Sequence, residues 1–284
     1  MKNEAGTMGQ KAGKKIVFKI IRWVLILIVL VVFLFPVYWI ISGSFKTQGE
    51  FYTNPPTIVP GSLSFDNYKV ALGNREIKGI IDSIIVSVIA TLLTMVIAVP
   101  ASYAIARYKP GGTQISFFIL SILFLPPVIG VLPLFFIFKT VGMLDTYQVL
   151  FVSYLFFNLP FSIWIMKGFF EDIPIDMEQA AMVDGHSRFR VFFKIAIPLA
   201  KPGIAVAALF AFIFSWNELM FASIFGRNAV QTLPLVLQDY IGSTGTQWGV
   251  LSAVATIAAI PGILLAIFMQ RYIVRGLTFG AVKG

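Results

Sequence analysis

The chain carries one histidine, no cysteine and 13 Asp plus Glu, which leaves few groups for bond-making chemistry. His186 has no second histidine or thiol nearby to complete a metal-ligand set. A lone histidine with no matching serine and carboxylate offers no nucleophile and base pair, and no two carboxylates recur on one face. A G-x-x-x-x-G-K-[ST] loop, which would cradle nucleotide phosphates, is absent. Chemistry here is therefore hydrogen bonding and docking, not catalysis. Glu218 is the one ionisable residue within the apolar stretch 202–226, and such a residue at membrane depth points to function by default. It lies seventeen positions after Lys201, about 25 Å along a helix, near the far end, where an acid beside Trp216 is also ordinary. Asn158 and Asn217 offer amides to a hydroxyl-rich solute and Trp216 a stacking face. Bonding between helices would use the same groups equally well.

The elements that must position these groups are apolar. Residues 23–45, 83–106, 110–138, 146–166 and 240–270 contain no Asp, Glu, Lys or Arg, and 202–226 only Glu218. Each is long enough to cross a ~30 Å hydrocarbon layer, for which about 20 residues suffice. The composition agrees, with 58% hydrophobic and 12% charged residues where a soluble chain has about 25% charged. The reading is a single all-α membrane domain over 1–284, with six transmembrane helices at about 18–42, 81–106, 115–138, 146–167, 203–225 and 249–271. The first stretch stays apolar well beyond the ~7–15 residues of a cleaved signal's core, so it reads as a retained anchor.

The net charge of +9 does not point to nucleic acid, because the basic residues are spread out and no nucleic-acid module surrounds them. Their distribution reports topology. Alternating connections that include both termini hold 16 of the 22 Lys plus Arg, which places both termini in the cytoplasm by the positive-inside rule. Arg107 and Lys109 then belong to a cytoplasmic turn closed by Pro110-Gly111-Gly112. The outer connection 45–79 carries an amphipathic stretch at 65–72.

Prolines at 100, 126, 127, 133, 160 and 261 each remove a backbone donor and can bend a helix. The Pro126-Pro127 pair with Gly130 and Pro133 is the strongest candidate for a functional break. Gly203, Ala207, Ala211 and Ser215 recur every four residues and form a small-residue strip suited to close helix packing, expected mainly within the chain.

The segment 171–200 is too patterned for a linker. Asp176 is expected to cap a short helix with Gln179 reaching back to it, and Gly185 to end that helix. Ser187 then starts a second helix that is basic and aromatic, with Arg188, Arg190 and Lys194 suited to headgroups and Phe189, Phe192 and Phe193 to the interface. The first helix would offer Met177, Ala180, Ala181 and Val183 to a groove on another protein.

Glu178-Gln179-Ala180-Ala181, followed by Asp184-Gly185 and, nine residues on, Ile195-Ala196-Ile197-Pro198, resembles the EAA loop of ABC importer permeases. Gln179 stands where the motif glutamate falls and Ile197 where leucine is usual. The tail 270–284 and Ser215-Trp216-Asn217-Glu218 are similar to binding-protein-dependent permeases of the carbohydrate-uptake type, such as the second subunit of maltose permeases. The resemblance covers nearly the whole chain. It implies a type I ABC importer permease fold, with Glu178, Gln179, Ala180, Ala181, Asp184, Gly185 and Pro198 in a coupling element between spans 4 and 5 that docks on an ATPase. It also implies half of a pore for a sugar, oligosaccharide or polyol in the inner membrane. The partners it implies are a homologous second permease, two ATPase subunits holding ATP and Mg, and an extracellular solute-binding protein, with no cofactor in this chain. An ion-coupled transporter is the alternative class, disfavoured because relays place several ionisable groups within spans.

Overall fold

The computed structural model describes the backbone of residues 2–226, 228–242 and 245–279, with side chains of 18–226, 228–242 and 245–270. The tail motif at 271–284 lies outside the described side chains. The helices are α1 (Lys2–Ser44), α2 (Asp66–Ala71), α3 (Asn74–Tyr108), α4 (Thr113–Leu123), α5 (Val128–Thr140), α6 (Tyr147–Glu171), α7 (Ile175–Val183), α8 (Arg188–Val191), α9 (Ile197–Leu199), α10 (Lys201–Trp216), α11 (Met220–Phe225), α12 (Leu233–Gln238) and α13 (Trp248–Phe279). A π-helical turn, Phe192–Ala196, joins α8 to α9.

Among the described residues, four helical segments are long and apolar enough to cross a membrane alone: Phe18–Ser44, Asn74–Tyr108, Tyr147–Glu171 and Trp248–Gln270. Two further spans would be bent pairs, Thr113–Leu123 with Val128–Thr140 at 92° and Arg188–Leu199 with Lys201–Trp216 at 73°. The stretch expected as a span over 115–138 is thus two helices, broken at the Pro126-Pro127 pair that the sequence singles out. Helices continue through Pro100, Pro133, Pro160 and Pro261. Gly130, just past the break, lets α5 approach α6 closely, for a Cβ there would lie 3.0 Å from the Phe156 ring. The stretch expected as one helix over 203–225 also differs, ending at Trp216 and restarting at Met220. Asn217 Nδ2 bonds the Ile213 carbonyl at 2.8 Å, while the Glu218 carboxylate accepts from the amides of Phe221 and Ala222 at 3.0 and 3.2 Å. One side chain thus satisfies the stopping helix and the other the starting one.

The chain forms two compact units. One holds residues 1–71 and 243–256. From Phe18 to Ser44 the most apolar window of α1 has no buried residue, so its side chains need lipid or another chain. Beyond it Lys46 is buried, donates to the Thr57 carbonyl at 2.6 Å and lies 4.2 Å from the Trp39 ring centroid. Phe45 packs on Phe65 and Tyr68 of the expected amphipathic stretch.

The other unit holds residues 72–242 and 257–284. Its centre is α3 packed along α6 and α10, with one apolar cluster around Val86, Leu150, Tyr154 and Phe221 and another around Val99, Met166, Phe170 and Ala207. The small-residue strip faces inward: Ala207 and Ala211 are fully buried, and a Cβ on Gly203 would sit 2.4 Å from Phe169 Cγ. Lipid tails are as apolar as these side chains, so close backbone approach and dispersion, not escape from water, hold the helices together.

Candidate functional site: a surface helix and a cavity at Glu218

The segment between α6 and α10 holds a short helix with defined ends. α7 begins two residues earlier than expected: Pro174 occupies the N-cap with φ −57°, and no side chain caps the helix. Asp176 therefore does not cap. Together with Glu178 it lies in the first turn, where a negative charge complements the helix dipole. Proline presets the entry conformation and leaves no amide to satisfy at that point. At the other end Gly185 has φ +86°. Its N–H donates to the Met182 carbonyl at 3.0 Å and that of His186 to the Ala181 carbonyl at 3.1 Å, the paired bonds of a Schellman stop. Ser187 accepts from the Arg190 amide at 3.3 Å and starts α8 as expected.

Burial divides the motif residues into two sets. Gln179, Ala180, Asp184, Gly185 and Pro198 are exposed, as are Met177, Met182 and Val183, the last at 88%. Ala181, expected outward, is buried. Glu178 is only 4% exposed and points into its own chain. It accepts from Tyr103 Oη at 2.7 Å and from Arg107 Nε and Nη2 at 2.8 and 2.7 Å. Arg107 also donates to the Ile173 carbonyl at 3.0 Å. Tyr103 and Arg107, which hold Glu178, are residues that sequence reading passed over, since Arg107 reads as part of a basic turn. The available signal is a tyrosine and an arginine four residues apart, hence on one helix face.

In the basic half Arg188, Arg190, Lys194, Phe189 and Phe193 are exposed. Phe192 instead packs on Tyr103 with ring centroids 4.8 Å apart, and Arg188 lies over the Tyr108 ring at 5.6 Å. His186 is half-buried, and no group of three or more His, Asp or Glu able to hold a metal occurs among the described residues.

The residues proposed for a solute path separate as well. Asn158 is fully buried, with Nδ2 on Ser215 Oγ at 2.9 Å, and Trp216 stacks on Phe212 inside the bundle. Asn217 and Glu218 line a cavity of ≈ 300 Å³ with Pro127, Phe157, Ile213, Phe214, Met220 and Phe221. Asn158 and Trp216 thus sit in helix packing, whereas Asn217 and Glu218 reach an open, mostly apolar surface beside the α4–α5 break.

At the end of α3 remote from Glu178, a second carboxylate is buried. Asp82 accepts from Lys78 Nζ at 2.7 Å, Tyr147 Oη at 2.6 Å and the Gln231 amide at 2.9 Å. Ser83 accepts from the Leu233 amide at 2.7 Å, and Asp145 from the amides of Asn228 and Ala229 at 3.0 Å. Tyr240 donates to Glu76 at 2.6 Å, and burial followed by that carboxylate pushes its phenol up to about 12. The 228–240 connection is therefore fastened to α3 and to the start of α6.

The arrangement is a helical membrane bundle with a short surface helix between two spans, and solved structures share it. A chain in the crystal structure of a bacterial ABC transporter importing the acidic polysaccharide alginate matches it with a TM-score of 0.75, covering 92% of this chain and 98% of that one at 23% identity. A chain of the MetNI methionine ABC transporter matches with a TM-score of 0.57 over 70% of this chain and 94% of that one, at 20% identity. The sequence profile of the binding-protein-dependent transport system inner membrane component matches residues 98–279. The permease SmoH of a sulfoquinovosyl glycerol transport system in Agrobacterium fabrum is 35% identical over 94% of both chains. The trehalose permease SugB of Mycobacterium tuberculosis is 37% identical over 88% of this chain and 93% of that one. The chain belongs to the family of binding-protein-dependent transport system inner membrane components, and it is a multi-pass membrane protein.

Proposed function

We propose that this chain is the six-span permease subunit of an ATP-driven importer for a sugar, oligosaccharide or polyol. Its termini and the 171–200 segment face the cytoplasm, and it forms half of a pore with a homologous second permease. The observation that carries this reading is the exposed Gln179, Ala180, Met182 and Val183 surface on a helix that Pro174 opens and Gly185 ends, set in a family of transport permeases. A coupling element must be rigid and must present its face outward, and α7 does both. The relatives named for trehalose and sulfoquinovosyl glycerol transport support the solute class. ATP and Mg belong to two partner ATPase subunits, since this chain has no phosphate loop. Solute arrives from an extracellular binding protein, and the alginate transporter's structure with a pentasaccharide-bound periplasmic protein supports that arrangement. The unburied α1 suits lipid or the second permease.

The test is a mild-detergent pull-down of tagged wild type and Gly185→Asp, with mass spectrometry and ATPase assays on the eluate. A Cβ at Gly185 meets nothing within 4 Å. The substitution therefore adds a charge and about 1 kcal/mol of backbone strain without a clash inside the chain. Wild type is expected to bring down an ATPase and a second permease, and Gly185→Asp to lose the ATPase alone. A wild-type chain that purifies alone and moves solute on an ion gradient would overturn the reading.

A further inference from the structure

Two helices are joined to α7 by the chain itself: α6 leads into it, and α8 and α9 lead onward to α10. The central helix α3 is not. It ends at Tyr108 and leaves through a turn whose Lys109 and Gly111 have positive φ. α3 packs along α6 and α10, but its direct polar hold on α7 is the side-chain cluster of Tyr103, Arg107 and Glu178, with Tyr103 only 8% exposed and the Arg107 and Glu178 side chains 8% and 5%. Every contact is short and directed: phenol to carboxylate, guanidinium to carboxylate through two nitrogens, and guanidinium to the Ile173 carbonyl just before α7. A buried ion pair is no better for stability than well-packed apolar groups. It does fix one geometry and resist sliding, which an apolar contact does not.

The other end of α3 is also fastened. Asp82 and Ser83 hold the amides of Gln231 and Leu233, about 37 Å from Arg107 at 1.5 Å per residue. We propose that α3 is a strut riveted at both ends, with Tyr103, Arg107 and Glu178 as positioning residues that make it follow α7. Movement of the docking helix by an ATPase then appears at the 228–233 connection through α3. This inference rests on the proposed function, because it takes α7 as the ATPase contact. It assigns Glu178 a task inside the chain rather than at the ATPase surface.

Hydrogen exchange on the complex recovered from membranes reads both ends at once, with and without Mg, ATP and vanadate. In wild type, the amides of α7 and those of Asn228 to Leu233 are both expected to change protection. In Glu178→Gln and in Arg107→Met the α7 response stays, while the distant response falls about tenfold, as expected when a typical coupling free energy is lost. Exchanging the charges, Arg107→Glu with Glu178→Arg, is expected to restore part of it. Tyr103→Phe removes one bond without changing shape and gives an intermediate loss, which keeps the test open if the charge variants fail to fold. A 228–233 response that survives in these variants overturns the strut. Loss of the ATPase from Glu178→Gln alone overturns it too, making Glu178 a docking contact. Failure of wild type to recover any ATPase overturns the functional reading itself and the strut with it.

Discussion

Replacing Gly203 by alanine tests whether close helix approach sets the geometry of the bundle. A methyl carbon there would lie 2.4 Å from Phe169 Cγ, 2.6 Å from Cδ2 and 2.8 Å from Cβ. Rotation of Phe169 about Cα–Cβ moves the first two contacts, but the third is fixed by the α6 backbone, so α6 and α10 must separate by several tenths of an ångström. Overpacking of this kind costs about 1–3 kcal/mol, while exchanging glycine for alanine inside a helix returns about 0.5–1 kcal/mol. The net expectation is a loss of about 1 kcal/mol. Gly168 is the internal control: it lies on α6, a Cβ there meets nothing within 4 Å, and Gly168→Ala is expected to stabilise by about 0.5–1 kcal/mol. Reversible denaturation of the purified chain in mixed micelles measures both. A Gly203→Ala protein as stable as wild type would refute the close-packing argument, and one that falls while Gly168→Ala rises would support it.

Other consequences follow from single contacts. Ser215→Ala leaves the buried Asn158 amide without its partner and is expected to cost about 0.5–2 kcal/mol, with Asn158→Leu in the same chain recovering most of it. Both are read by the same denaturation. Asp82→Asn weakens the hold on Lys78 and Tyr147, so the Gln231 and Leu233 amides are expected to exchange faster while α7 amides do not. Glu50 is held below the ordinary glutamate value of 4.5 by the Gly61 amide first and then by the Thr47 amide and hydroxyl. A depressed folded pKa contributes order above the unfolded value and loses it as pH falls through the folded one. Acidification below 4.5 is therefore expected to raise proteolysis within 53–60, and Glu50→Gln to raise it already at neutral pH.

What could be read in the sequence was what repeats or stops abruptly. Long charge-free stretches announce helices in lipid, a four-residue spacing of small side chains announces a packing face, and Gly185 announces a helix stop because few other residues accept its conformation cheaply. The bend at Pro126-Pro127 was legible for the same reason. Pairings between distant elements were not. Nothing local in Glu178 says that it turns inward to an arginine 71 positions earlier, nor in Asp82 that it holds the Gln231 amide, because such contacts depend on helix rotation and crossing. The start of α7 was misplaced because Asp176 fits a capping pattern that Pro174 makes unnecessary. The end of the helix over 203–225 was missed because hydrophobicity continues through a break made by Asn217 and Glu218.

Uptake into proteoliposomes holding this chain, its co-purified permease and ATPase, and ATP on the inside tests the central claim most directly. Radiolabelled sugar presented on a binding protein outside is expected to accumulate only with both ATP and binding protein, and Gly185→Asp to abolish accumulation. Accumulation that needs no ATP and follows an imposed proton or sodium gradient would contradict the account.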